Sequence, residues 1–276
     1  MQETAVHESQ RAIGIFDSGL GGLTVARAVR RALPNEDLIY LGDTARVPYG
    51  NKGAETVTRF TRECLDWLHA KGVKMMIVGC NTASSLALPE LVNEVEEPTL
   101  GVVEAGVKGA LRVLGKGPVG VIGTRATVES EVYRYRLKQL RPDIEVLQQA
   151  CPLFVPLVEE GWFDHPVTRT VIQEYLGPMR ARGVEAIILG CTHYPLLKGA
   201  LADFFNKRTV LVDSADETAK EVKRLLELRQ LLADRQGEGH CTFHSTDQPK
   251  RLVELGSRVF WDEIEAAHLA RVGGEG

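Results

Sequence analysis

Short apolar runs alternate with longer stretches whose apolar positions recur at helical spacing. Arg11–Asp17, Asp37–Asp43, Met75–Val78, Leu100–Glu104, Val119–Thr124, Ile144–Gln149, Ile187–Gly190, Thr209–Asp213 and His240–Thr246 read as strands. They are too short and too uniformly apolar for solvent-facing strands, so they predict a parallel sheet buried on both faces. Between them, helices are expected from the glycine-rich turn at Ser18–Thr24 through Leu33, and over 55–70, 108–114, 129–140, 168–181, 215–232 and 249–255. Beyond Gly256 the pattern is mixed. The polar opening Met1–Gln10 reads as a frayed leader without the apolar centre of a signal peptide.

Two strands are near-copies. Met75-Met76-Ile77-Val78-Gly79-Cys80-Asn81-Thr82-Ala83 and Ile187-Ile188-Leu189-Gly190-Cys191-Thr192-His193-Tyr194-Pro195 each stop at Gly and present a Cys followed by polar residues. One lies in each half of an alternating strand–helix pattern, which predicts an α/β protein built of two comparable units. The first is expected over 11–104 with the tail 214–276 returning to it, and the second over 105–213. Ligands of open α/β sheets collect beyond the carboxyl ends of the strands, where both cysteines fall.

Composition narrows the function. The chain has 276 residues, 44% hydrophobic and 25% charged, with net charge −4 and only scattered Lys and Arg pairs. This is an ordinary globular composition without a nucleic-acid footprint. No apolar run approaches the roughly 20 residues of a membrane span. Five widely spaced cysteines are no disulfide framework and fit reduced thiols of a cytoplasmic protein. Cys64 shares helical spacing with Phe60, Trp67 and Leu68 and reads as core.

Four readings compete for Cys80 and Cys191. Buried structural thiols are the simplest, though the polar residues beside them then need partners. A metal site lacks Cys-x-x-Cys or His-x-x-x-His spacing, so no metal is expected. A thiol hydrolase or amidase would use one Cys–His set and leave the other Cys idle. The fourth reading uses both. Inverting a carbon that bears a weakly acidic hydrogen requires a base on one face and an acid on the other. A helix N-terminus would favour the thiolate of each. Asp17 and His193 could act as proton partners, with helix capping the plain alternative for Asp17. Ser18, Asn81, Thr82, Thr124 and Thr192 offer donors for a carboxylate-bearing ligand. The Gly19-Leu20-Gly21-Gly22 turn is closer to a tight strand–helix connection than to a dinucleotide site, since the last Gly of that fingerprint is Thr24.

Asp17-Ser18-Gly19-Leu20-Gly21-Gly22-Leu23-Thr24, Gly42-Asp43-Thr44-Ala45-Arg46-Val47-Pro48-Tyr49-Gly50 and the two Gly-Cys motifs together resemble bacterial glutamate racemases. The resemblance implies two pseudo-symmetric parallel-sheet α/β domains with the active site between them. It also implies a cofactor-independent, often homodimeric enzyme that interconverts L- and D-glutamate for peptidoglycan synthesis. Carried over by motif, Cys80 serves D-glutamate and Cys191 L-glutamate. Asp17 and His193 assist them, and Glu159, rather than Glu160, is a further pocket acid. Ser18, Tyr49, Gly50, Asn81, Thr82, Thr124 and Thr192 become substrate contacts. Val47 stands where many relatives have Cys. Aspartate racemase and other cofactor-free racemases share the architecture, and a non-catalytic binding protein would have no need of both thiols.

Overall fold

The computed structural model describes residues 8–261 and 264–273. Among these residues, ten strands form two sheets in which every pairing is parallel. The strands are β1 Ile13–Asp17, β2 Leu38–Gly42, β3 Met75–Val78, β4 Thr99–Gly101, β5 Val119–Gly123, β6 Val146–Ala150, β7 Ala186–Gly190, β8 Val210–Asp213, β9 Cys241–Ser245 and β10 His268–Leu269. The first sheet runs β10-β9-β2-β1-β3-β4 and the second β6-β5-β7-β8. The order 2-1-3-4 therefore recurs as 6-5-7-8. The two lobes are related strand by strand, β3 corresponding to β7 and β1 to β5. All residues of β1, β3, β5 and β7 are buried, as expected where helices cover both faces of a sheet.

The helices are α1 Leu23–Ala32, α2 Ala54–Ala70, α3 Asn81–Leu86, α4 Leu88–Leu91, α5 Val102–Val113, α6 Arg125–Glu129, α7 Val132–Leu140, α8 Phe154–Glu159, α9 Pro166–Arg182, α10 Lys198–Phe204, α11 Ser214–Arg229 and α12 Pro249–Leu255. Helix α11 packs on both α1 and α5 and so joins the lobes. Cys64 is fully buried in the core of the first lobe.

The structure corrects the sequence reading in several places. The apolar run 100–104 is not one strand. It ends at Gly101, and Val102 already begins α5, its N–H donating to Ser84 Oγ at 3.2 Å. A Cβ on Gly101 would lie 2.5 Å from Leu88 Cδ2 and 2.9 Å from Ser84 Oγ, so a side chain at this switch would have to displace both. The helix expected over 129–140 is α7, which begins only at Val132; a separate short helix, α6, precedes it across a break at Ser130-Glu131, with Glu131 left-handed at φ 56°. No Gly or Pro announces that break. The expected leader lies outside the described residues up to position 7. Glu8–Gln10, by contrast, form a 3₁₀ turn, and the Ser9 carbonyl accepts from Lys74 Nζ at 2.6 Å.

Candidate active site

Strand register brings the predicted residues together. Phe16 pairs with Val78, so Ser18 and Cys80 emerge side by side from β1 and β3. The Cys80 thiol donates to Ser18 Oγ at 3.2 Å, and its sulfur caps α3 by accepting from Ala83 N at 3.5 Å. In the other lobe Gly123 pairs with Gly190, which sets Thr124 and Cys191 at neighbouring strand ends. Cys191 does not open an α-helix, as the sequence pattern had implied. Thr192 and His193 lead into a 3₁₀ turn at Tyr194–Leu197. His193 Nδ1 lies 3.8 Å from Cys191 Sγ, and its Nε2 lies 3.2 Å from Glu159 Oε1 at the end of α8. Of the two adjacent acids, Glu159 is thus the one against His193.

The tips of the lobes touch through these same residues. A Cβ on Gly21 would fall 2.2 Å from Thr192 Oγ1 and 2.5 Å from His193 Nδ1, and one on Gly22 2.3 Å from Asp17 Cβ. Gly21 is therefore a steric requirement of the lobe contact, and Gly22 one of packing on Asp17 within its own lobe, which accounts for the pair without a phosphate. Thr24 Oγ1 donates to Thr192 O at 3.2 Å, Thr82 and Thr124 hydroxyls meet at 3.0 Å, and Asn81 Nδ2 donates to Tyr133 Oη at 2.8 Å. Gly50 packs against Thr124, where a Cβ would approach to 2.7 Å. The Tyr49 hydroxyl points away from this junction and donates to the buried Asp43 carboxylate at 2.5 Å. Its ring is buried in the core of the first lobe against Phe16 and Phe60.

Every residue singled out from the sequence thus lies at the junction or, like Tyr49, on the loop that reaches it. The chain is matched over residues 22–222 by the sequence model of the Asp/Glu/Hydantoin racemase family. It belongs to that family. Its enzymes are racemases, in the isomerase class. The chain is 46% identical to the glutamate racemase of Geobacter metallireducens over 92% of its own length and 94% of that protein. Its fold is similar to Thermus thermophilus glutamate racemase in complex with β-chloro-D-alanine (TM-score 0.87, 45% identity, 96% of this chain and 98% of that one). It is also similar to Francisella tularensis glutamate racemase in complex with D-glutamate (TM-score 0.88, 36% identity, 96% and 98%).

Electrostatics separate the two arms of this racemase fold. Burial pushes the Cys80 thiol up to about 12, with the charges of Asp17 and Cys191 adding and the Ser18 and Ala83 hydrogen bonds opposing. The expectation that a helix end would favour the thiolate fails here, because a six-residue helix is outweighed by desolvation. Burial also raises the Asp17 carboxyl, against the charge of His193 and the N–H groups of Gly22, Gly19 and Ser18. For His193, burial lowers the pKa but is overcome by Cys191 and Glu159, leaving the imidazole raised to about 10. Glu159 is lowered, chiefly by its hydrogen bond to His193.

Both thiols are enclosed, at 5% and 6% exposure. A cavity of about 110 Å³ is lined by Gly19, Leu20, Val47, Glu159, Arg251 and Leu252. A second of about 10 Å³ lies behind Cys191 beside Asn81, Thr192 and Ser214. Among the described residues, no group of three or more His, Cys, Asp or Glu could hold a metal ion. No helix among them is long and apolar enough to cross a membrane. Sequence reasoning missed Thr24, Thr127 and Tyr133. Thr127 Oγ1 lies 3.0 Å from Thr124 Oγ1 and 3.4 Å from Thr82 Oγ1, a third hydroxyl in that cluster. Its spacing from Thr124, whose hydroxyl caps α6, was the one available signal.

Proposed function

We propose that this chain interconverts L- and D-glutamate by a two-base mechanism in which Cys80 and Cys191 work from opposite faces of the α-carbon. The observation that carries the reading is the repeat of strand order. It puts two thiols at equivalent strand ends of two lobes that meet there, each with its own polar partner. With L-glutamate, Cys191 as thiolate takes the α-proton and the C–H electron pair passes into the carbanion. The Cys80 thiol then delivers its proton to the other face. The product is D-glutamate, and the enzyme is left with its thiols in the opposite protonation state. Burial keeps Cys80 as the thiol, the form that donates when L-glutamate is the substrate. His193 and Glu159 support the Cys191 arm, and Asp17 with Ser18 supports the Cys80 arm.

The substrate carboxylates are held by Ser18, Asn81, Thr82, Thr124, Thr192 and the backbone of Tyr49-Gly50, donors fixed before the reaction begins. Because both thiols are enclosed, binding requires the lobes to part and close again. Closure displaces bulk water, so the α-proton passes directly between carbon and sulfur, and the sulfur-bound proton in turn exchanges with solvent. The two lobes are assigned to residues 11–104 with 214–276, and 105–213. The physiological role we assign is D-glutamate supply for peptidoglycan in the cytoplasm, by a homodimer that needs no cofactor.

Aspartate is the nearest competing substrate, one methylene shorter, a difference worth roughly 10–200-fold in a fitted pocket. Polarimetry on both enantiomers of glutamate and aspartate tests the assignment. Glutamate is expected to be turned over at least tenfold more efficiently, and preference for aspartate would overturn it.

A further inference from the structure

The break between α6 and α7 turns a tyrosine inward. Ser130 Oγ donates to Thr127 O at 2.7 Å and accepts from Val132 N at 3.4 Å, while Glu131 sits in the left-handed region. Non-glycine residues held there are strained, and such strain collects at functional sites. Beyond the break Tyr133 enters the core of the second lobe, its side chain fully buried. Its ring rests on Gly190, the residue before Cys191, where a Cβ would come within 3.3 Å of Tyr133 Cε2. Its hydroxyl accepts from Asn81 Nδ2, the residue after Cys80, at 2.8 Å. One side chain therefore spans the two thiol-bearing strand ends, touching the backbone of one and the first side chain beyond the other.

We propose that Tyr133 is a positioning residue that sets the register of the Cys80 arm against the Cys191 arm, its hydroxyl holding Asn81 while its ring seats on Gly190. This rests on the two-thiol reading. The bond is neutral at both ends, since burial raises the phenol despite Ser214 and Asn81 beside it. Removing the hydroxyl leaves the Asn81 amide without its partner and loosens the Cys80 arm, whereas the ring contact that backs Cys191 stays.

Tyr133→Phe tests this. For mirror-image substrates the equilibrium constant is one, so kcat/KM must remain equal in the two directions. It is expected to fall roughly tenfold, the scale of one buried hydrogen bond. The direction-sensitive readout is the isotope effect with α-deuterated substrates. It should grow starting from D-glutamate, whose deuterium Cys80 removes, and shrink starting from L-glutamate. Asn81→Ala removes the same bond from the other lobe together with a proposed substrate contact, so it should cost more activity than Tyr133→Phe while giving the same asymmetry. In that background Tyr133→Phe should add less than a twofold loss. A Tyr133→Phe enzyme within twofold of the parent overturns the inference. So does a loss of activity with both isotope effects unchanged, which marks a merely structural role. In either case a parent that racemises glutamate leaves the two-thiol reading standing, while a parent inactive on glutamate removes both.

Discussion

Replacing Glu159 by Gln tests the electrostatics of the Cys191 arm. The carboxylate lies 3.2 Å from His193 Nε2, with side-chain exposures of 10% for His193 and 30% for Glu159. Two unit charges at that separation attract by about 5 kcal/mol at an effective dielectric of 20 and about 1.3 kcal/mol in bulk water. The partial exposure of Glu159 brings the value toward the lower part of that range. At 1.36 kcal/mol per pKa unit, loss of the charge should lower the His193 pKa by about one to two units from its raised position near 10. The direction is fixed, because an imidazolium that loses an anionic neighbour gives up its proton more readily. NMR titration of imidazole-labelled enzyme reads the shift, and the alkaline limb of kcat/KM should move down in pH with it. A His193 pKa that stays within about 0.3 units in Glu159→Gln would refute the claim that Glu159 holds the imidazolium.

Lys74→Met should destabilise the fold by about 3–5 kcal/mol. It strands the buried Glu36 carboxylate and the carbonyls of Ser9 and Leu231, which Lys74 Nζ now bonds at 2.5, 2.6 and 2.8 Å. Thermal unfolding should show a fall of roughly 10 °C, and an unchanged melting temperature would contradict the assignment. Gly21→Ala forces a methyl into Thr192 and His193, so activity should drop at least tenfold while the far-ultraviolet spectrum is kept. Activity at the parental level would show that the lobe tips do not meet as described.

The parts of this molecule legible in the sequence are those that local pattern controls. Strands β1, β3, β5 and β7 are buried on both faces, so they appear as unbroken apolar runs ending in Gly or a polar residue. Cys80 and Cys191 follow such runs and were visible for that reason. What depends on contact between the lobes was hidden. Tyr133 is one aromatic among charged residues until α7 folds it onto Gly190 and Asn81. Thr24 looks like part of a helix start until it meets Thr192 O. The break at Ser130-Glu131 is maintained by side-chain bonds of Ser130 and not by a helix-breaking residue. The Cys80 thiol went the opposite way from the helix-end expectation because its degree of burial is a tertiary property.

The placement of one thiol on each face of the α-carbon is tested most directly by solvent-deuterium incorporation in single-cysteine variants. In Cys80→Ser, racemisation should fall by about 10²–10⁴-fold. Cys191 should still exchange the α-hydrogen of L-glutamate with D₂O and return it without inversion, leaving D-glutamate unlabelled. Cys191→Ser should show the mirror image, labelling D-glutamate alone. Variants that label both enantiomers equally, or that racemise at the parental rate, would contradict a pair of thiols acting from opposite sides.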